Sequence, residues 1–256
     1  YSLFQDEKKY RKEVKKIWFS VKNLKAGNKL KYSDLIMKRP KDTTVNPSSL
    51  KNFIGKKLLV NLKSETPICK FYLKNYTTAI IVARSQSKRL PNKATKKICG
   101  YETLDHLIRR VKKSKKLDNI ILCTTKLKED NKLIKIAKKN KIKFFKGENL
   151  DVLKRMLDSI KNSKTNTIVR ITGDDILIDS KYLDLALDLH FKKNFDYTNN
   201  KKLPGGAEVE IFDLDFLKKI YYLSEDSKGT EYLTFYVNKY KDQFKLGSLE
   251  INKKLD

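Results

Sequence analysis

Between Ala79 and His190 the apolar positions switch repeatedly between two periods. Ala79 to Ala83 is an unbroken apolar run, suited to a strand buried on both faces. Leu104, Leu107, Ile108 and Val111 follow at i, i+3, i+4 and i+7, which is one face of a helix. The alternation continues with a strand at Ile120 to Thr124, a helix at Leu133 to Lys139 and a strand at Lys143 to Phe145. Leu153, Met156, Leu157 and Ile160 mark the next helix face, and Thr167 to Ile171 reads as a fourth strand. A polar turn, TGDD, leads to a helix from about Lys181 to His190, with Asp179 placed to cap it. Strand–helix units of this length predict an α/β fold with a mostly parallel sheet and helices on both faces. In such sheets ligands bind beyond the carboxyl ends of the strands, where two polar loops fall, Arg84 to Lys93 and Thr172 to Asp175.

The pattern changes near Leu73 to Thr78, which divides the chain into domains at 1–75 and 76–256. Upstream, Tyr10 to Lys16 reads as the end of a helix, Ile17 to Val21 as a strand and Lys25 to Asn28 as a turn whose Gly suits positive φ. Pro40 and Pro47 exclude a continuous helix between them. Ser48 and Ser49 are capping candidates before LKNFIG, and Lys57 to Leu62 reads as a closing strand. Together these predict a compact β-rich module.

Composition alters this picture little. No run of about 18 apolar residues occurs and no signal-peptide core follows the charged N-terminus, so the expectation is a cytoplasmic protein without a membrane partner. Cys69, Cys99 and Cys123 are widely spaced and lack a C-x-x-C motif, and they read as small core residues. The net charge of +28 arises from lysines spread along the whole chain, not gathered into an arm or interleaved with aromatics. That distribution argues against nucleic acid as a partner, while the field still favours a nucleotide triphosphate or a carboxylated sugar. Starting at Tyr1 and stopping at Asp256, the chain reads as part of a longer protein.

The loop ARSQSKRLPNK combines small residues with Arg84, Lys88, Arg89 and Lys93 directly after the first strand of the second domain. Backbone amides around Ala83 to Ser87, an Arg fork and a Lys point charge are what a triphosphate needs. The loop has neither G-x-G-x-x-G nor G-K-[ST], so dinucleotide and Walker A motifs do not explain it. In RITGDD, Arg170 to Asp175, a strand ends in a Gly turn and two carboxylates; one is suited to Mg²⁺, and either is suited to capping the turn. In GGAEVEIF, Glu208 and Glu210 share one face of a strand, suited either to sugar hydroxyls or to a solvated surface. His106 and His190 each stand alone in helices and read as structural.

IIVARSQSKRLPNK, ETLDHLIRRV, IILCTT, FKGENLDVLKRM, VRITGDD and GAEVEIF occur in the order that resembles cytidylyltransferases of the spore coat polysaccharide type, relatives of the enzymes making CMP-Kdo and CMP-sialic acid. The resemblance runs from about Thr77 onward. It implies a Rossmann-like, glycosyltransferase-A-type fold, CTP as donor and Mg²⁺ as cofactor. It also implies that Ala83, Arg84, Ser85, Ser87 and Arg170 line the nucleotide site, that Arg89 and Lys93 contact phosphates as catalytic cations, and that Asp174 binds the metal. Asn92 stands where the family usually has Gly, Ile176 where it has Pro and Val82 where it has Gln. A second metal carboxylate of the family is expected beyond Asp256.

WFSVKNLKAGNKLKYSDLIMKRP and LKNFIGKKLLVNLKSETPI resemble the SAF, or antifreeze-like, domain that ends sialic acid synthases, with Tyr10 to Lys16 matching its linker helix. There the Arg of K-R-P, here Arg39, reaches the partner's active site, although the usual Gly after K-R-P is Lys41. The combined resemblance implies an enzyme that activates a nine-carbon acidic sugar with CTP and places Arg39 toward the sugar, with Glu208 and Glu210 the candidates from the strand pattern. It implies a homo-oligomer, with the SAF domain docking on a synthase barrel. The competing expectation is a non-catalytic assembly fragment of such a fusion.

Overall fold

The computed structural model describes residues 15–40, 45–86, 90–200, 203–224 and 233–250. The chain divides into two compact units, one of Tyr1–Asn75 with Phe191–Asn194, the other of Tyr76–His190 with Phe195–Asp256. In the first unit, β1 (Ile17–Ser20) pairs antiparallel with β2 (Leu35–Lys38). Gly27 occupies the expected turn with φ +90. The core is Leu24, Leu30, Leu35, Phe53, Leu58, Leu62, Ile68 and Leu73. The expected closing strand at Lys57 to Leu62 is not regular: Lys57, Leu58 and Leu62 make only isolated bridges, to Lys29, Leu73 and Leu24. Leu58 and Leu62 are buried while Leu59 and Val60 face solvent, an inside–outside order that does not follow a strand's period of two. Ser49 precedes a short 3₁₀ turn at Leu50–Asn52 without a side-chain cap, while the Ser48 hydroxyl accepts from Asn52 Nδ2 at 2.8 Å. Most of the expected linker helix, Tyr10 to Val14, lies outside the described residues.

The second unit is built around β3 (Thr77–Val82), which pairs with β6 on one side and β8 on the other. A short hairpin of β4 (Lys97–Ile98) and β5 (Tyr101–Glu102) leads into helix α1 (Thr103–Val111). There follow β6 (Asn119–Thr125), α2 (Asn131–Lys139), β7 (Lys143–Gly147), α3 (Val152–Ile160) and β8 (Thr167–Thr172). Then come α4 (Ser180–Lys193), β9 (Tyr197–Asn199), β10 (Glu210–Asp213), α5 (Leu214–Leu223), α6 (Leu233–Lys239) and β11 (Leu246–Ser248). The seven-stranded sheet has the order β11-β9-β10-β8-β3-β6-β7. β3 is parallel to both β6 and β8, and β6 to β7, whereas β10 runs antiparallel to β8 and β9. Ala79, Ile80 and Ile81 are all at 0% exposure, so helices cover both faces of β3.

Helix sequences explain their own placement. α1 buries the expected stripe of Leu104, Leu107, Ile108 and Val111, plus Asp105. Asp105 is held by Arg109 at 2.9 Å, Lys139 at 2.8 Å and Asn140 at 3.0 Å, which ties α1 to the end of α2. Asp151 caps α3 by accepting the Lys154 amide at 2.8 Å, and Asp179 accepts the Lys181 amide at 2.7 Å at the start of α4. Cys69 and Cys123 are buried as expected, and burial pushes the Cys123 thiol up to about 11. Cys99 departs from expectation, because it sits exposed at the β4–β5 hairpin tip with φ +47.

Candidate functional site

The strand order places a switch point beside β3: the chain moves outward through β6 and β7, then returns to the other side of β3 as β8. The loops leaving β3 and β8 therefore diverge above their parallel carboxyl ends, the position at which α/β sheets bind ligands. The Gly173 amide donates to the Val82 carbonyl at 2.8 Å, and a Cβ on Gly173 would stand 2.5 Å from the Ala83 Cβ. Only Gly permits this approach, and it joins the two loops directly.

Across that junction Lys93 Nζ donates to Asp174 Oδ2 at 2.6 Å, with the side chains 30% and 43% exposed. The adjacent carboxylates divide their work. Asp175 accepts from the Thr172 amide at 3.0 Å and from the Thr172 hydroxyl, so it holds the turn. Burial lifts its carboxyl above the ordinary value, the Thr172 bonds offsetting this only in part. Asp174 alone faces outward.

A cavity of about 530 Å³ opens beside this junction, lined by Arg84, Ser85, Gln86, Asn92, Glu129 and Lys132. Asn92 has φ +58, the left-handed conformation that Asn tolerates better than most residues with a Cβ, which explains how it replaces Gly. Its side-chain oxygen accepts from Lys132 Nζ at the cavity rim. Ile176 donates its amide to the Asp174 carbonyl at 2.8 Å, a bond that Pro could not make. Val82 is half-buried.

The structure corrects three sequence expectations. Of the Ala83 to Ser87 amides expected to face phosphate, that of Ala83 already donates to Cys123 O at 3.2 Å and that of Ser85 to Asp130 Oδ1 at 2.7 Å. A donor satisfied inside the protein is not free for a ligand. Arg170 and Glu210, expected at the nucleotide and the sugar, form a buried ion pair across β8 and β10, and Tyr197 Oη also donates to Glu210 at 2.8 Å. Glu208 lies before β10, half-buried, so the two glutamates do not share a strand face. Arg39 is exposed just after β2, within the first unit. Ser87, Lys88 and Arg89 lie outside the described residues.

Two residues escaped sequence reasoning. Lys132 lines the cavity from the first turn of α2, and in so lysine-rich a chain nothing distinguished it. Asp130 is buried below the loop; its trace is the pair Thr124 and Thr125 ending a strand a few residues before a carboxylate. Neither His belongs to this region: His106 meets the Ile98 carbonyl at 2.8 Å, and His190 lies between Thr198 and Asp213 at 3.0 and 3.1 Å. Among the described residues no helix is long and apolar enough to cross a membrane.

The cytidylyltransferase family profile matches residues 78–246. An uncharacterized protein of Methanocaldococcus jannaschii is 37% identical over 171 residues, covering 67% of this chain and 70% of the relative. The spore coat polysaccharide biosynthesis protein SpsF of Bacillus subtilis is 30% identical over 176 residues, covering 67% and 73%. A solved cytidylyltransferase from Leptospira borgpetersenii superposes with a TM-score of 0.65 at 32% identity, over 70% of this chain and 77% of that one. CMP:2-keto-3-deoxy-manno-octonic acid synthetase, solved with CTP, shares the fold with a TM-score of 0.56 at 12% identity, over 69% and 90%. The α/β sheet with its switch-point loops and the family match over most of the second unit agree: this chain belongs to the cytidylyltransferase family.

Proposed function

We propose that this cytidylyltransferase couples CTP to a sialic-acid-like nonulosonic acid, forming the CMP-sugar and releasing pyrophosphate. The observation that carries this reading is the Lys93–Asp174 pair, 2.6 Å apart at the β3–β8 switch point and beside a cavity of about 530 Å³. A cation and an outward carboxylate at that point suit a triphosphate and its counter-ion. The CTP held by the CMP:2-keto-3-deoxy-manno-octonic acid synthetase supports a cytidine nucleotide here.

The donor set suits Mg²⁺. This ion binds through one or two carboxylates plus substrate phosphates and keeps several waters. Asp174 offers one exposed carboxylate, and among the described residues no three His, Cys, Asp or Glu side chains form a closed cage. Asp174 would hold the metal, which when bound neutralises charge on the phosphate oxygens.

In the reaction the anomeric hydroxyl of the sugar attacks the α-phosphorus in line, the new P–O bond forms and the bond to pyrophosphate breaks. Lys93, Arg84 and Arg89 supply cations to the phosphates, and Ser85 and Ser87 line the nucleotide site. Positioning and electrostatics therefore supply most of the catalysis. Arg170 and Glu210 serve by bracing β8 against β10 beneath Asp174, while Glu208 remains available to the sugar.

The choice of a nine-carbon acid rests on the likeness of the first unit to a SAF domain. In this reading the protein fuses part of a nonulosonic acid synthase to the activating enzyme, works as a homo-oligomer, and presents Arg39 to a synthase barrel. Pyrophosphate release from CTP, screened over sialic, legionaminic, pseudaminic and Kdo acids with Mg²⁺, tests it. Turnover is expected with a nine-carbon acid; release with Kdo alone, or with none of the four, sinks the substrate assignment.

A further inference from the structure

Asp130 stands at the residue before α2, where an Asp ordinarily caps the helix, yet its side chain makes no bond to the helix amides. Instead the carboxylate, 1% exposed, turns toward the sheet. Oδ2 accepts from Thr124 Oγ1 at 2.9 Å, from the Thr125 amide at 3.2 Å and from the Thr125 hydroxyl, all at the end of β6. Oδ1 accepts the Ser85 amide at 2.7 Å, from the loop that leaves β3. Burial alone would push this carboxyl up, but the bonds from Thr125, Ser85 and Thr124 together bring it below the ordinary carboxylate value.

From Ser85 the restraint runs on toward the ion pair. The Ser85 hydroxyl donates to Glu129 O at 3.2 Å, and the Ser85 carbonyl accepts the Asn92 amide at 3.2 Å. That bond closes the loop onto a left-handed Asn92, and the next residue is Lys93, whose ammonium reaches Asp174. One buried carboxylate thus anchors a covalent and hydrogen-bonded path that ends at the pair.

We propose that Asp130 is the positioning residue that sets Lys93 against Asp174, acting through Ser85 and Asn92. The inference rests on the functional reading of that pair given above. In Asp130→Asn one end of the side chain becomes an NH₂ group that cannot accept. Three donors face Oδ2 and one faces Oδ1, so the amide oxygen goes to the threonines and its NH₂ is set against the Ser85 N–H. The loop is released while the end of β6 stays satisfied.

The test measures steady-state kinetics of the full chain with CTP and Mg²⁺, well below the unfolding temperature, together with hydrogen exchange at the Ser85 amide. Asp130→Asn is expected to raise KM for CTP about tenfold, to lower kcat several-fold and to expose the Ser85 amide. Ile220→Val, a core change in α5, should lower Tm while leaving KM and kcat unchanged. Wild-type KM and kcat in Asp130→Asn, or equal kinetic losses in both variants, overturn the proposal. If Asp130→Asn fails to fold, Thr125→Val removes one donor and keeps the carboxylate; a smaller KM rise with faster Ser85 exchange supports the proposal, and an unchanged KM overturns it. Lys93→Ala and Asp174→Asn, assayed in parallel, separate the two levels. If they lose turnover and Asp130→Asn does not, the positioning role fails alone; if they too are inert, the reading of the pair falls with it.

Discussion

Two ion pairs issue from the same stretch of chain, and they have opposite characters. Arg170, within β8, meets Glu210 of β10 with side chains 13% and 9% exposed, and Tyr197 also donates to that carboxylate. Asp174, four residues on, meets Lys93 with both side chains open to solvent. The first pair is shut inside the sheet, where a charge persists only if its partner stays. The second sits in water, where each charge survives alone and can exchange its partner for a ligand. A basic and an acidic side chain can therefore brace the sheet or stay open to a ligand according to access, and in the proposed reading this difference separates brace from site.

The largest effect expected from this comparison is on the brace. Arg170→Met leaves Glu210 buried without its cation and should cost about 3–5 kcal/mol of stability, read by urea unfolding. Adding Glu210→Leu should recover much of that loss; a single Arg170 variant as stable as wild type would erase the distinction. At the open pair, Asp174→Asn should slow turnover about a hundredfold, roughly 3 kcal/mol in the barrier, while stability changes by less than about 1 kcal/mol. Between the two, Gly173→Ala places a Cβ 2.5 Å from the Ala83 Cβ and should cost about 1–3 kcal/mol while also slowing turnover, measured by melting and pyrophosphate release.

Acid titration sharpens the same contrast. The hydrogen bonds of Asp130 hold its folded-state carboxyl below its unfolded value of about 3.9, so its contribution is fully present above that pH. The contribution is lost as pH falls through the lowered folded value, and Asp130→Asn should flatten that part of the stability curve. The smallest effect on stability is expected at Lys93→Ala, no more than about 1 kcal/mol because the pair is solvated, even as turnover falls.

Much of the second unit was legible from periodicity. The strands expected at Ile120 to Thr124 and Thr167 to Ile171 appear as Asn119–Thr125 and Thr167–Thr172, because buried parallel strands are continuous apolar runs. The α1 stripe was equally plain. In the first unit the expected strand at Lys57 to Leu62 dissolved into isolated bridges, since long-range contacts there bury Leu58 and Leu62 and leave Leu59 and Val60 outside. In the candidate site, chain order revealed that the loops of Lys93 and Asp174 lie at strand ends. It could not reveal that Arg170 and Glu210, 40 residues apart, would consume each other.

By itself, then, the sequence determined the order of strands and helices, the place of the two polar loops and the membership of a family, because local periodicity and motif order are written in neighbouring residues. The tertiary structure alone decided which charges are shut inside the sheet and which stay open to solvent. Whether a carboxylate binds a ligand or braces the sheet depends on partners and solvent brought by distant segments: Glu210 for Arg170, Asp130 for Ser85, and open water for Asp174.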